Sequence, residues 1–243
     1  MLIFGTDTCC MAATAALLSE ERLVAQTVLN NKKTHSQNIM PMIEFMMEKA
    51  EVSPSDIDCF AAAVGPGSFT GVRIGVATVK ALSFAAQKPC VAVSTLEALG
   101  HNVSHFSGII CPILDARRNQ VYNALFEGGS MKRITDDRAC AIDELLEELA
   151  AETQNVIFLG DGVPVFRDKI IERLGDRAVF APVSLQMNLA ASVAQIGLEK
   201  FVKGETISYD ELVPQYLRLS QAERERMERE AAKSSAMPSS KLS

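Results

Sequence analysis

The chain has 243 residues, 48% of them hydrophobic and 22% charged, with a formal net charge of −6 at pH 7. This is the composition of an ordinary soluble globular protein, long enough for one large domain or two lobes. Its acidic balance argues against an unaided grip on nucleic acid, which depends on Lys and Arg neutralising phosphates. The six cysteines, Cys9, Cys10, Cys59, Cys90, Cys111 and Cys140, form no C-x-x-C pair. They read as reduced core thiols of a cytoplasmic protein, not as a zinc site or disulfide framework. The opening MLIFGTDTCC lacks a basic stretch followed by an apolar one, so no signal peptide is expected. No run approaches the roughly 20 apolar residues of a membrane span.

Residues 1–5 read as a short apolar strand, Thr6-Asp7-Thr8 as a polar turn and 11–18 as a second strand. Ser19-Glu20-Glu21-Arg22 loops into a third strand over 23–29, completing an antiparallel meander. Residues 37–50 carry apolar side chains at helical spacing, with a broad arc rich in Met. Read alone, this is a helix packed on a sheet; the width of the arc also suits a partner, because Met adapts to binding surfaces. Ser53-Pro54-Ser55-Asp56 is a helix-start signal.

The stretch AAAVGPGSFTGVRIGVATVKALSFAA, residues 61–86, is the centre of the pattern. A buried strand over 59–64 runs into the turn Gly65-Pro66-Gly67-Ser68 and then a helix over 70–86, capped by Ser68 or Thr70. Gly71 and Gly75 share one face of that helix. A helix-interior glycine costs about 1 kcal/mol relative to Ala, so two on one face imply a close approach by another backbone or by a ligand. Residues 90–93 are a further strand, and Ser94-Thr95-Leu96-Glu97 is a capping box opening another helix.

From Gly108 the order begins again. Strands are expected over 109–114, 120–126 and 131–134, a helix over 142–150, a strand over 156–159 and a helix over 163–174. A short strand at 179–180 and a long helix over 189–201 complete it. Each half thus follows a β-β-β-α-β-α order, with an Asp after its first strand, Asp7 and Asp115. This suggests two related lobes, 1–105 and 106–220, with a cleft between them. Residues 221–232 alternate Glu and Arg as a solvated helix, and the Ser-rich end to 243 reads as disordered.

The glycine turn gives G-x-G-x-x-x-G, one residue too long for the dinucleotide fingerprint, and no Lys-Ser or Lys-Thr follows it. A helix N-terminus after glycines still attracts an anion. His101 and His105 are four apart, a metal spacing, but with only Glu97 nearby and no H-E-x-x-H they read as surface histidines. There is no G-x-S-x-G, and Ser68 has no evident base. Asp7 and Asp115 are either turn-forming aspartates or facing carboxylates of an Mg-nucleotide cleft, and the residues alone leave both open.

Several motifs together resemble the bacterial TsaB family over residues 1–225: GPGSFTGVRIGVATVKAL, Asp7-Thr8, His35-Ser36-Gln37, Val93-Ser94-Thr95-Leu96-Glu97, Asp115-Ala116-Arg117, Gly160-Asp161-Gly162 and Pro214-Gln215-Tyr216-Leu217-Arg218. The resemblance implies an α/β fold of the actin-like ASKHA (ribonuclease H-like) type. It implies a role with TsaD and TsaE in placing N6-threonylcarbamoyladenosine next to the tRNA anticodon. In TsaD two histidines flanking Leu-Glu-Gly hold a metal. Here Thr95-Leu96-Glu97-Ala98-Leu99 offers no such pair, so neither a metal site nor a catalytic residue is expected. The expected role is a non-catalytic subunit that pairs with TsaD through the helices over 37–50 and 70–86, with Ile39, Ile43, Met46, Met47, Gly71, Ile74, Gly75 and Thr78 at the interface. TsaE joins through the complex, tRNA is met only indirectly, and a homodimer through the same helices is open when TsaD is absent. No membrane and no required cofactor are implied. A residual nucleotide or anion site at Asp7, Gly65, Gly67, Ser68 and Asp115, with ATP as its ligand, stays open. The alternative is an enzyme in its own right, an ATP-dependent transferase or a peptidase.

Overall fold

The computed structural model describes residues 1–31 and 33–218. The helix expected over 221–232 and the tail beyond it lie outside those residues.

The chain opens as the expected meander: β1 (Leu2–Asp7), β2 (Ala13–Ser19) and β3 (Leu23–Leu29) pair antiparallel in sequence. Then follow α1 (His35–Ala50), β4 (Cys59–Ala63), α2 (Phe69–Ala86), β5 (Cys90–Val93) and α3 (Thr95–His101). β4 and β5 join in parallel, so the sheet order is β3-β2-β1-β4-β5. Thr6 and Asp7, expected in a turn, belong to β1, where they pair with Ala15 and Thr14. The helix expected after Ser53 is one 3₁₀ turn, Pro54–Asp56, with both capping-box bonds made. Fully buried Ile57 then draws the chain into the core.

The second half contains β6 (Ile109–Asp115), β7 (Gln120–Asn123), β8 (Phe126–Glu127), β9 (Arg138–Ala141), α4 (Ile142–Ala150), β10 (Val156–Leu159), α5 (Val163–Leu174), β11 (Ala178–Phe180) and α6 (Ala190–Val202). The order β11-β10-β6-β7-β9 mirrors the first sheet, a meander extended by two parallel strands. The strand expected over 120–126 is interrupted. β7 and β8 hold one register against β6, but Pro112 lies opposite the gap and has no N–H to give the ladder. The Leu125 N–H bonds Thr135 Oγ1 at 2.9 Å instead. The third strand is β9, not residues 131–134. Those form a loop in which Met131 takes a left-handed φ of 54° and only Arg133 makes a single bridge, to Phe126.

Side-chain alternation sorts the packing. Along β1, Gly5 faces α6, where an added Cβ would lie 2.6 Å from the Ala190 carbonyl oxygen. Asp7, two residues on, points to the same side, while Thr8 meets α2. Ile39, Ile43, Val72, Val76 and Val79 of α1 and α2 share one core with the first sheet and with Val193 and Ala194 of α6. The second sheet packs α4 and α5 on one side and Leu96 and Leu99 of α3 on the other. α6 thus crosses back from the second half to the first sheet, and residue 105 does not divide the packing. By length and composition α2 is long and apolar enough to cross a membrane, at 18 residues and mean hydropathy 1.2, which the count of consecutive apolar residues did not reveal. Its valine side is buried in the sheet core.

Candidate functional site

The two sheets leave a cleft of about 560 Å³ lined from the first half by Cys10, His35, Pro66, Gly67 and Ser68, and from the second by Asp115, Arg117 and Asp161. The segment 215–218 also lines it.

Asp115 ends β6 and faces this cleft. Its Oδ1 accepts the Arg117 N–H at 2.8 Å, and its Oδ2 lies 3.1 Å from the Arg117 guanidinium. Its own N–H donates to Asp161 Oδ1 at 3.0 Å. Burial pushes the Asp161 carboxyl up from its ordinary range; the Asp115 N–H opposes that shift and the Asp115 charge adds to it. Asp161 is a cleft residue that the sequence marked only as part of a glycine turn. Arg117, Arg118 and Asn119 are consecutive left-handed residues, with φ of 64°, 55° and 56°, and carry the chain over the cleft rim.

Asp7 differs. It is wholly buried and does not line the cleft. Oδ1 accepts the Cys9 N–H at 2.7 Å, while Oδ2 is buried without a hydrogen-bond partner. Burial lifts its pKa from 3.8 to about 6, against the opposing pull of the Cys9 N–H. Asn188 Nδ2 binds the Asp7 carbonyl oxygen at 3.4 Å from the far side. His35, expected only as part of a motif, holds the next loop by a 2.9 Å contact from Nε2 to the Cys10 carbonyl.

The turn before α2 is packed inside the protein. Gly65 has φ +117° and backs onto the Gln215 carbonyl; Gly67 backs onto the Cys9 carbonyl. Neither leaves room for a side chain. The Ser68 N–H donates to Cys9 O at 2.7 Å, and the Ser68 hydroxyl caps α2 by accepting from Gly71 N at 3.3 Å. Of the five residues proposed for an anion site, only Gly67, Ser68 and Asp115 reach the cleft.

The close approach on the glycine face comes from the chain itself. An added Cβ at Gly71 would strike the Thr8 carbonyl, one at Gly75 would lie 2.7 Å from Thr8 Oγ1, and that hydroxyl donates to Gly71 O at 2.7 Å. Ile39, Ile43, Met46 and Met47 are likewise buried in the chain's own core. Within this chain these six residues are packed against the first sheet and the loop at Thr8. Of the expected interface, Ile74 and Thr78 stay half-buried; Ala77 and Ala81 of α2 and Met40 and Phe45 of α1 are exposed.

Beside the turn, Glu97 Oε2 lies 3.8 Å from Arg133 and 4.0 Å from Lys200. Its neighbours Thr95 and Leu99 are fully buried. Among the described residues no three of His, Cys, Asp and Glu gather as a metal site. A strap that the sequence suggested only as a motif closes the arrangement. The Gln215 N–H donates to Val64 O at 2.7 Å, Tyr216 stacks on Phe69 at 4.4 Å and accepts from Arg73 Nε at 2.8 Å, and Arg218 donates to Ala116 O at 2.8 Å. It ties the first sheet and α2 to the second lobe.

Comparison with known proteins places these features. Residues 22–242 match the family model described as TsaD, tRNA N6-adenosine threonylcarbamoyltransferase. The tRNA threonylcarbamoyladenosine biosynthesis protein TsaB of Bacillus subtilis (strain 168) is 35% identical over 92% of this chain and 96% of its own length. Its namesake from Escherichia coli (strain K12) is 28% identical over 90% and 95%. The solved structure of YeaZ from Pseudomonas aeruginosa superposes with a TM-score of 0.72 at 25% identity, over 89% of this chain and 99% of that one. The (R)-2-hydroxyglutaryl-CoA dehydratase component A of Acidaminococcus fermentans, at TM-score 0.51 and 11% identity over 83% and 99%, shares the fold alone. The architecture is the actin-like ASKHA fold.

Proposed function

The chain belongs to the TsaB family, and from that membership we propose that it is the non-catalytic partner of a TsaD subunit. It is a tRNA threonylcarbamoyladenosine biosynthesis protein and acts in tRNA modification. The partnership with TsaD, the entry of TsaE through the complex and a cytoplasmic place of action are our reading, suggested by the family resemblance.

One observation carries the non-catalytic reading. Where the resemblance sets the TsaD metal pair on either side of Leu-Glu-Gly, this chain has buried Thr95 and Leu99, and Glu97 between them is compensated by Arg133 and Lys200. A carboxylate already facing two cations, flanked by an aliphatic side chain, is a poor metal ligand set. The cleft carboxylates are similarly engaged, Asp115 by Arg117 and Asp161 by the Asp115 N–H. This supports a scaffold role without a required cofactor.

The contact surface follows from what the two helices leave exposed. Ile74, Ala77, Thr78 and Ala81 form the outward side of α2, with Phe45 and Met40 on α1. Small side chains on one helix beside large apolar ones on the other suit helix-on-helix packing. Two arms test the proposal. Omitting each subunit in turn from a reconstituted tRNA-modification assay should show product only when this chain and TsaD are both present; turnover by this chain alone would overturn it. Ala81→Glu should leave the melting temperature nearly unchanged and remove co-elution with TsaD, and unaltered co-elution would remove the interface.

A further inference from the structure

A second cavity, of about 180 Å³, opens next to the cleft on the far side of Cys10 and Met11. Its walls come from both lobes: Leu99 of α3, Pro164 at the start of α5, and Val183 and Met187 of the segment leading into α6. These side chains are apolar, and Leu99 at its floor is fully buried. An apolar cavity of about 150 Å³ is large enough to hold benzene. This one therefore admits a ring or branched aliphatic body with a short arm.

Two of its polar groups, Asn188 and Asp161, present acceptors, beside the side-chain amides of Asn30 and Gln186. Asn188, 1% exposed, lines the cavity. Its Nδ2 is spent on the carbonyls of Ala12 at 3.1 Å and Asp7 at 3.4 Å, which leaves Oδ1 buried without a partner. A buried acceptor left unpaired is costly, and native proteins rarely keep one. The Asp161 carboxylate forms the edge shared with the main cleft. The Gln186 amide, a donor that also lines the cavity, is turned to Ala181 O at 2.8 Å. Among the described residues no Lys or Arg lines the cavity. The site thus combines an apolar body, an amide oxygen without a hydrogen-bond partner and a carboxylate that accepts the Asp115 N–H at Oδ1 and has Oδ2 left to offer.

We propose that this interlobe cavity binds a compact apolar amine, its body against Leu99, Pro164 and Met187 and its ammonium group between Asn188 Oδ1 and the Asp161 carboxylate. Because the walls come from both lobes, such a ligand would wedge them at a fixed separation. The chemistry at that end selects for charge as well as size: between Asn188 Oδ1 and Asp161 an isosteric carboxylate would face two acceptors with nothing to offer them.

The test is a titration of the full chain, labelled at its methionine methyls, with benzylamine, and separately with benzoate as a probe of the same size and opposite charge. Benzylamine should shift the Met187 and Met11 resonances saturably, and benzoate should leave them in place. Asp161→Asn should weaken benzylamine by about tenfold, the loss of one charge-assisted hydrogen bond. Val183→Trp, placed at a rim position that is 78% exposed and so able to take a larger side chain without disturbing the core, should block the shifts at Met187. Equal responses to both probes, no response to benzylamine, or shifts that survive Val183→Trp would each overturn the proposal. Unchanged affinity in Asp161→Asn would overturn the assignment of the ammonium group.

Discussion

Asp7 and Asp115 end corresponding strands of two sheets with the same order, yet their surroundings are opposite. Asp115 meets the cleft with its carboxylate bonded to the Arg117 N–H and guanidinium. Asp7 is sealed beneath the Cys9–Cys10 loop with one oxygen unpaired and its pKa raised to about 6. The difference lies in what covers each strand end. The loop after β1 is clamped by the glycine face of α2, by Asn188 and by His35, whereas the loop after β6 lies at the cleft rim, tied by Arg218 at the Ala116 carbonyl and by the Ile142 N–H at the Asn119 carbonyl, and leaves Asp115 facing the cleft. Equivalent topology therefore does not give equivalent chemistry; the covering loop decides whether a strand-end carboxylate is a ligand or a buried cost.

Breaking the clamp should have the largest effect. Gly71→Ala drives a methyl group into the Thr8 carbonyl, a backbone atom that cannot step aside, and should destabilise the chain by about 3 kcal/mol in urea unfolding. Gly129→Ala, in the second half, meets nothing within 4 Å and should cost only the left-handed backbone preference, about 1 kcal/mol. Equal losses would mean that α2 is not clamped as described. Gly75→Glu would likewise press on Thr8 Oγ1, and Ile43→Glu would bury a charge in the core, so both would disturb the fold itself.

The aspartates come next. Asp7 binds its proton more tightly in the folded chain, at about 6, than at its ordinary 3.8. Folding is therefore least burdened by it below pH 4, and its penalty grows as pH rises to about 6 and stays constant above. Asp7→Asn removes an ionised buried group, and at pH 8 should stabilise the chain by on the order of 2–3 kcal/mol, with little change at pH 4. Asp115→Asn should instead cost about 1 kcal/mol or less, because its partner Arg117 is 87% exposed. Paired denaturation curves at the two pH values check both, and a pH-independent Asp7→Asn effect would contradict the sealed site.

The last test lies at the strap. Tyr216→Ala removes the stack on Phe69 and the bond from Arg73, both near solvent, for about 1–2 kcal/mol. It should also raise hydrogen exchange at the Gln215 amide, which is bonded to Val64 O. Unchanged exchange there would show that the strap is held without its aromatic anchor.

Local signals alone located most elements, because period, caps and breakers act within a few residues. β3, α4, β10 and α5 begin and end where their patterns do. The motif set likewise carried the family, and with it the fold. Tertiary structure decided the rest. Whether Gly71 and Gly75 face a second protein or the chain's own Thr8 depends on a contact 63 residues away in sequence, which no local period encodes. The break of the strand over 120–126 into β7 and β8 turned on Pro112 across the sheet, and the return of α6 to the first sheet on packing between distant segments. The roles of Asp7, Asp161 and Asn188 share that origin. Burial and unmet hydrogen bonds belong to a position in space, and sequence specifies that position only through the whole fold.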